Sequence, residues 1–208
     1  YAFRKYKIKT VENKHTHLVP EELEQLERLS LTDKHMKLQK SLDAFLFCCY
    51  AGMRYSDFTN LSKKNIVDIN QETWLIYKSV KTGTEVRLPL YLLFAGKGIV
   101  ILNKYRNNLE DFFRLRDNSN INKDLIIIAK LAGVSKKISF HTARHTNATL
   151  LIYNGVNITT VQKLLGHKSV KTTQVYTNIM DMTIVHDLEK IKQAALGIKK
   201  KTDNSFNK

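Results

Sequence analysis

The apolar positions change period twice along the chain, and the changes mark out its elements. Leu23, Leu26 and Leu29 follow Pro20 at near-helical spacing, with Glu21 and Glu22 where a helix dipole favours acids; this predicts a helix from Pro20 to about Leu29. A longer amphipathic stretch after Asp33 carries Leu38, Leu42, Phe45, Leu46 and Cys49 and ends near Gly52, and a short helix starts at about Ser56. From Asn65 the residues become β-favouring: Ile66, Val67 and Ile69, then Thr73 to Tyr77 after the turn residues 70–72, then Glu85 to Leu90 after Thr82 and Gly83. This predicts a three-stranded antiparallel sheet over 66–90, with Lys81 at the mouth of its second hairpin. Helical patterns return around 98–108, 120–132, 141–153 and 158–165, and over roughly 169–195 with a break near Tyr176. Glycines 133, 155 and 166 close three of them. The predicted class is α+β, mostly helical with one small antiparallel sheet.

Both ends differ from this middle. Residues 1–17 mix basic and polar types without a sustained period and read as a linker or arm. Residues 18–196 read as one domain, and the lysine-rich 197–208 as a disordered tail. The stretch from Thr183 to Ala195 aligns Ile184, Leu188, Ile191 and Ala195 on one helical face.

Composition narrows the class. The 208 residues are 43% hydrophobic, enough for a sizeable core, and 34 Lys and Arg against 19 Asp and Glu leave a formal charge of +15. No apolar run approaches the length of a membrane-spanning helix, and no secretory signal pattern opens the chain. A start at Tyr1 without Met reads as a piece of a longer cytosolic protein. Cys48 and Cys49 are adjacent, which suits neither a disulfide framework nor zinc, and they read as buried, reduced packing residues. The charge excess suits a polyanion, nucleic acid before an anionic membrane, although lysines that serve only solubility would give the same sum.

Several motifs fail. Gly96-Lys97-Gly98 lacks the third glycine of a dinucleotide loop, where Ile101 stands, and a Walker A would need glycine at Tyr91. His15 and His17 on a polar arm read as solvated. No His-Glu-x-x-His, Gly-x-Ser-x-Gly or EF-hand pattern occurs. Four segments remain. Ala51-Gly52-Met53-Arg54-Tyr55-Ser56-Asp57 puts an arginine at a helix start. Val80-Lys81-Thr82-Gly83 puts a lysine on a hairpin. His141 and Arg144 lie three apart, on one face of a helix. In the stretch from Leu164 to Thr177, Gly166 ends a helix, His167 sits in the turn and Tyr176 follows nine positions later.

In this order the four segments resemble the catalytic domain of tyrosine recombinases, the phage-integrase family, and the phrases around Arg54 and Lys81 look most like integrases of mobile elements such as conjugative transposons. The resemblance covers about residues 18–195. It implies the recombinase catalytic fold over 18–196, a DNA-binding domain before Tyr1, and cleavage and rejoining of DNA through a 3′-phosphotyrosyl intermediate without metal, ATP or other cofactor. The residue chemistry agrees. A tyrosine conserves the bond energy of a cleaved phosphodiester for religation, which makes Tyr176 the candidate nucleophile. Two guanidiniums, Arg54 and Arg144, suit the charge that develops on the phosphate oxygens. His167 can add a hydrogen bond, and His141 can hold or accept the nucleophile's proton, with these two duties left open. By resemblance Lys81 protonates the leaving 5′ oxygen, with Lys78 as fallback, and Asp57 orients the pocket.

The resemblance further implies double-stranded DNA as partner, a homotetramer on synapsed sites, accessory bending or directionality factors, no membrane, and a cytoplasmic, nucleoid-associated place in bacteria. The terminal helix would dock on a neighbouring protomer or fold back on its own core. Removal of Arg54 or Arg144 is expected to abolish cleavage and leave the fold intact. His145 and His186 read as structural, and Tyr55, Tyr153, Phe112 and Phe113 as core or edge aromatics. Two departures from the family stand out: Val19 replaces the expected Ser or Thr cap, and Gly96 and Gly98 interrupt a helix expected to be continuous. Two other readings compete: a noncatalytic helix-turn-helix regulator reading bases with Ser169, Lys171, Thr172 and Gln174, and a type IB topoisomerase.

Overall fold

The computed structural model describes residues 16–177. At its centre lies a helix, Gln39–Ala51 (α2), in which every residue from Ser41 onward is buried. A helix apolar on all sides must be wrapped. The wrapping comes from Pro20–Glu27 (α1), Lys97–Lys104 (α4), Leu109–Phe113 (α5), Asn118–Leu131 (α6) and above all Phe140–Tyr153 (α7), itself buried from Thr142 to Ile152. Two carboxylates and an amide inside this core are paired. Asp43 accepts from Lys104 Nζ at 3.0 Å and from the Tyr105 hydroxyl at 2.8 Å, and Asp124 accepts from Ser41 Oγ at 2.6 Å and from Arg116. Asn147 of α7 donates to the carbonyls of Cys49 and Tyr50, both at 2.9 Å, and so satisfies groups that the end of α2 leaves open. Cys48 and Cys49 are buried thiols, as expected.

Tyr55–Thr59 (α3) leads from α2 to the sheet, whose strands Ile66–Ile69 (β1), Glu72–Lys78 (β2) and Glu85–Pro89 (β3) pair antiparallel in chain order. The register sets Leu75 opposite Leu88 and Tyr77 opposite Val86. All four are buried, while Lys78, Glu85 and Arg87 face water. Through β3 the sheet packs on Ile158–Leu165 (α8). A last short helix, Lys171–Gln174 (α9), follows in the described residues.

The elements match the spacing except at a few places. The first helix ends at Glu27, two residues early. Val19 does stand at its start and supplies no side-chain cap, while its backbone N–H is served by Glu22 Oε2 at 2.9 Å. Phe94, Ala95 and Gly96 are all left-handed, so the chain turns there and α4 begins only at Lys97. That helix stops at Lys104, short of 108, because the chain must turn to bring Phe112 and Phe113 of α5 into the aromatic cluster around Phe47 and Phe58. The arm expected over 1–17, apart from Thr16 and His17, lies outside the described residues. So do His186, the stretch Thr183–Ala195 and the tail 197–208.

Candidate active site

Arg144 is 1% exposed, a cation in the core, and two carbonyls hold it. Its Nη1 donates to Gly52 O at 2.7 Å and its Nη2 to Leu165 O at 2.6 Å. Gly52 caps the end of α2 and Leu165 is the last residue of α8, so the guanidinium sits where the negative ends of two helices converge. Both helices stop at a left-handed glycine. A Cβ on Gly52 (φ +66°) would lie 2.6 Å from Asn147 Oδ1, and one on Gly166 (φ +63°) would lie 2.6 Å from Val86 Cγ2. Burial, followed by the neighbouring charge of Arg54, pushes Arg144 down to about 10, which leaves it cationic near neutrality. Two of its five N–H groups are committed to backbone, so the remainder can bind a substrate anion. Its removal would orphan two carbonyls, so the expectation of an intact fold gives way for this arginine.

Arg54 precedes α3 and is held by side chains. Its Nη1 lies 3.4 Å from Asp57 Oδ2 and 3.3 Å from Ser79 Oγ. The fully buried Asp57 carboxylate also accepts the Val80 N–H at 2.8 Å through its other oxygen. One acid therefore joins Arg54 to the loop between β2 and β3. That loop is closed by Ser79 N–H to Thr84 O at 2.9 Å and fastened to the glycine turn by Thr82 Oγ1, which donates to Gly166 O at 3.1 Å. Lys81 stands exposed on this loop, and its charge acts on His167. Lys78 is exposed on β2 opposite Glu85.

His167 is buried next to Gly166, with Nδ1 2.9 Å from Thr173 Oγ1. Burial pushes it down to about 4, and Arg144, Arg54, His141 and Lys81 push in the same direction, so the ring is neutral near pH 7. The charges acting on this one ring are those of the residues singled out in the sequence. Tyr176 closes the group: it is 5% exposed, burial raises its phenol above the usual range, and Arg144 and Arg54 draw it back down. Its hydroxyl lies 3.0 Å from Nδ1 of His145. His141, exposed in the first turn of α7, lays its ring edge-on to that of His145, with centroids 4.4 Å apart.

The structure thus gathers Arg54, Lys81, His141, Arg144, His167 and Tyr176 in one locality. It adds His145, whose one sequence signal was its place four residues after His141, on the same face one turn further along. Tyr77 also belongs here: its buried hydroxyl has no hydrogen-bond partner among the described residues and lies within the field of Asp57, Arg144 and Arg54.

The helical domain with its three-stranded sheet thus carries two arginines, a hairpin lysine, a turn histidine and a tyrosine in one region. Residues 17–182 match the phage integrase family, and the chain belongs to that family. It is 30% identical over 181 residues to a tyrosine recombinase of Pseudothermotoga lettingae, covering 85% of this chain and 60% of the relative. It is 50% identical over 171 residues to the tyrosine recombinase XerD of Bifidobacterium longum, covering 74% of this chain and 54% of the relative. The fold is like that of the XerH site-specific recombinase bound to its palindromic difH substrate in a post-cleavage complex, with TM-score 0.63 and 21% identity over 87% of this chain and 52% of that one. The chain spans little more than half the length of these proteins.

Proposed function

We propose that the protein is the catalytic part of a site-specific DNA recombinase or integrase that cleaves and rejoins strands through a 3′-phosphotyrosyl intermediate. The observation that carries this reading is the buried guanidinium of Arg144, preset between two helix ends beside Arg54 and His167 and within reach of the field on Tyr176. In the reaction, Tyr176 attacks the phosphorus, Arg54 and Arg144 neutralise the non-bridging oxygens, neutral His167 donates to them, and Lys81 protonates the departing 5′ oxygen. His141 stands at the exposed rim. Nothing in these steps calls for a metal or nucleotide.

The substrate is double-stranded DNA, with the remaining positive charge on flanking phosphates. On synapsed sites the full-length protein works as a homotetramer, with accessory factors choosing direction, in the bacterial cytoplasm at the nucleoid. Residues 18–196 form the catalytic domain, 1–17 link it to a DNA-binding domain, and 197–208 form a basic tail. The helix-turn-helix alternative loses support because α9 has only four residues and buries Thr173 against His167. The test is a nicked suicide duplex bearing the recombination site: a covalent protein–DNA adduct is expected with wild type and absent with Tyr176→Phe. Tight DNA binding with no adduct from any substrate would favour the regulator, and relaxation of plasmid without site preference would favour a topoisomerase.

A further inference from the structure

The phenol of Tyr176 must lose its proton in order to attack, and it sits where that loss is hard. At its ordinary pKa of about 10, roughly one phenol in a thousand is ionised at neutrality. Burial disfavours the anion further, while Arg144 and Arg54 favour it. A neighbouring base is needed, and it must touch the hydroxyl. Among the groups around the site, the Asp57 carboxylate is already engaged by Arg54, Ser79 and the Val80 N–H. The His167 Nδ1 is engaged by Thr173, and its ring resists taking up a proton. His141 meets the ring of His145 at the rim. His145 is the group that touches the hydroxyl: 6% exposed, it holds Nδ1 at 3.0 Å from the Tyr176 oxygen, with ring centroids 5.5 Å apart.

We propose that His145, not His141, is the catalytic base that takes the proton of the Tyr176 nucleophile. The inference rests on the recombinase reading and deepens it. In the forward step the Tyr176 O–H bond breaks as an N–H bond forms on His145 Nδ1. The phenolate oxygen then bonds to phosphorus, and the P–O5′ bond breaks with its proton supplied by Lys81. Religation runs the same transfers backwards, so the imidazolium returns its proton to the phenol and the enzyme ends unchanged. The arrangement requires the Nδ1 position to be unprotonated in the resting protein, with the ring hydrogen on Nε2. Helix α7 then has two functions one residue apart, because Arg144 meets the phosphate and His145 meets the nucleophile.

The test has two arms. In single-turnover cleavage of the nicked duplex, His145→Gln keeps a hydrogen-bond acceptor that cannot take up a proton. It is expected to cleave about 100-fold more slowly at neutral pH and to regain rate as pH rises towards the phenol's own range, whereas His141→Gln loses less. Cleavage by His145→Gln within about threefold of wild type, or a loss confined to His141→Gln, would overturn the assignment. The second arm needs no DNA. Ring-nitrogen NMR of the resting protein is expected to find His145 Nδ1 unprotonated and its resonance moved by Tyr176→Phe. A protonated Nδ1, or a resonance indifferent to that change, would sink the proposal even if His145→Gln failed to fold. If wild type forms no adduct, the recombinase reading fails, and the resonance alone decides whether His145 accepts from Tyr176.

Discussion

Arg144 and Lys81 would serve the same phosphate, yet the fold places them in opposite ways. Arg144 is fixed by backbone, with two helix-terminal carbonyls within 2.7 Å and two glycines whose replacement would collide with Asn147 or Val86. Lys81 is exposed on a loop fastened to the rest by Asp57 and Thr82. The difference fits the tasks proposed for them. A group that stabilises charge in the transition state gains most from being preset in a dry site, because no reorganisation is then needed. A group that delivers a proton to a leaving oxygen must meet an atom held by the DNA, and so stands at the surface.

Substitutions can break this contrast. Arg144→Ala should lower cleavage by ~10³-fold or more and destabilise the protein by about 2–4 kcal/mol, since two buried carbonyls lose their donor. A thermal melt should show the midpoint falling by roughly 5–15 °C. Lys81→Ala should slow cleavage about 100-fold while leaving the melt unchanged, and a substrate with sulphur in place of the bridging 5′ oxygen should restore it, because a thiolate leaves without a proton. If Lys81→Ala melted as early as Arg144→Ala, the contrast would be wrong.

Gly166→Ala tests the mount itself. The strained φ and the contact with Val86 should cost about 2 kcal/mol in urea unfolding, with cleavage reduced because Leu165 O shifts under Arg144. A pH dependence follows from His167. Its ordinary pKa is 6.5 and its folded value about 4. Between these the unfolded chain takes up a proton that the folded chain refuses, so stability is full above about pH 6.5 and falls as pH drops towards 4. Melts across this window should show a shallower decline for His167→Gln. Thr82→Val, which removes the bond to Gly166 O, should change stability by about 1 kcal/mol or less and slow cleavage a few-fold, with the deficit again relieved by the sulphur substrate.

Much of this was legible in the chain order of residues. The β-favouring run from Thr73 to Tyr77 with turns on either side gives the sheet, and the helical spacing gives α1, α6, α7 and α8, because side-chain periodicity follows directly from backbone geometry. The candidate site residues Arg54, Lys81, His141, Arg144, His167 and Tyr176 were legible through their order along the chain, which resembles that of the tyrosine recombinases, since none of them stands out alone. The short α5 was missed: five residues are too few to show a period, and what places Phe112 and Phe113 is their packing on Phe47 and Phe58.

What the sequence determined by itself was local: the elements, the charge, and the identity of the candidate groups. Tertiary structure alone decided three things. It set Lys81 on an exposed loop tied to the glycine turn, where its charge acts on His167, and Lys78 on the strand opposite Glu85. It placed Arg144 in the core, because the carbonyls that hold it lie 92 and 21 positions away in the chain. It brought the Tyr176 hydroxyl to His145 across 31 residues, a pairing that no spacing encodes, since contacts between distant segments depend on how the helices pack and not on their order.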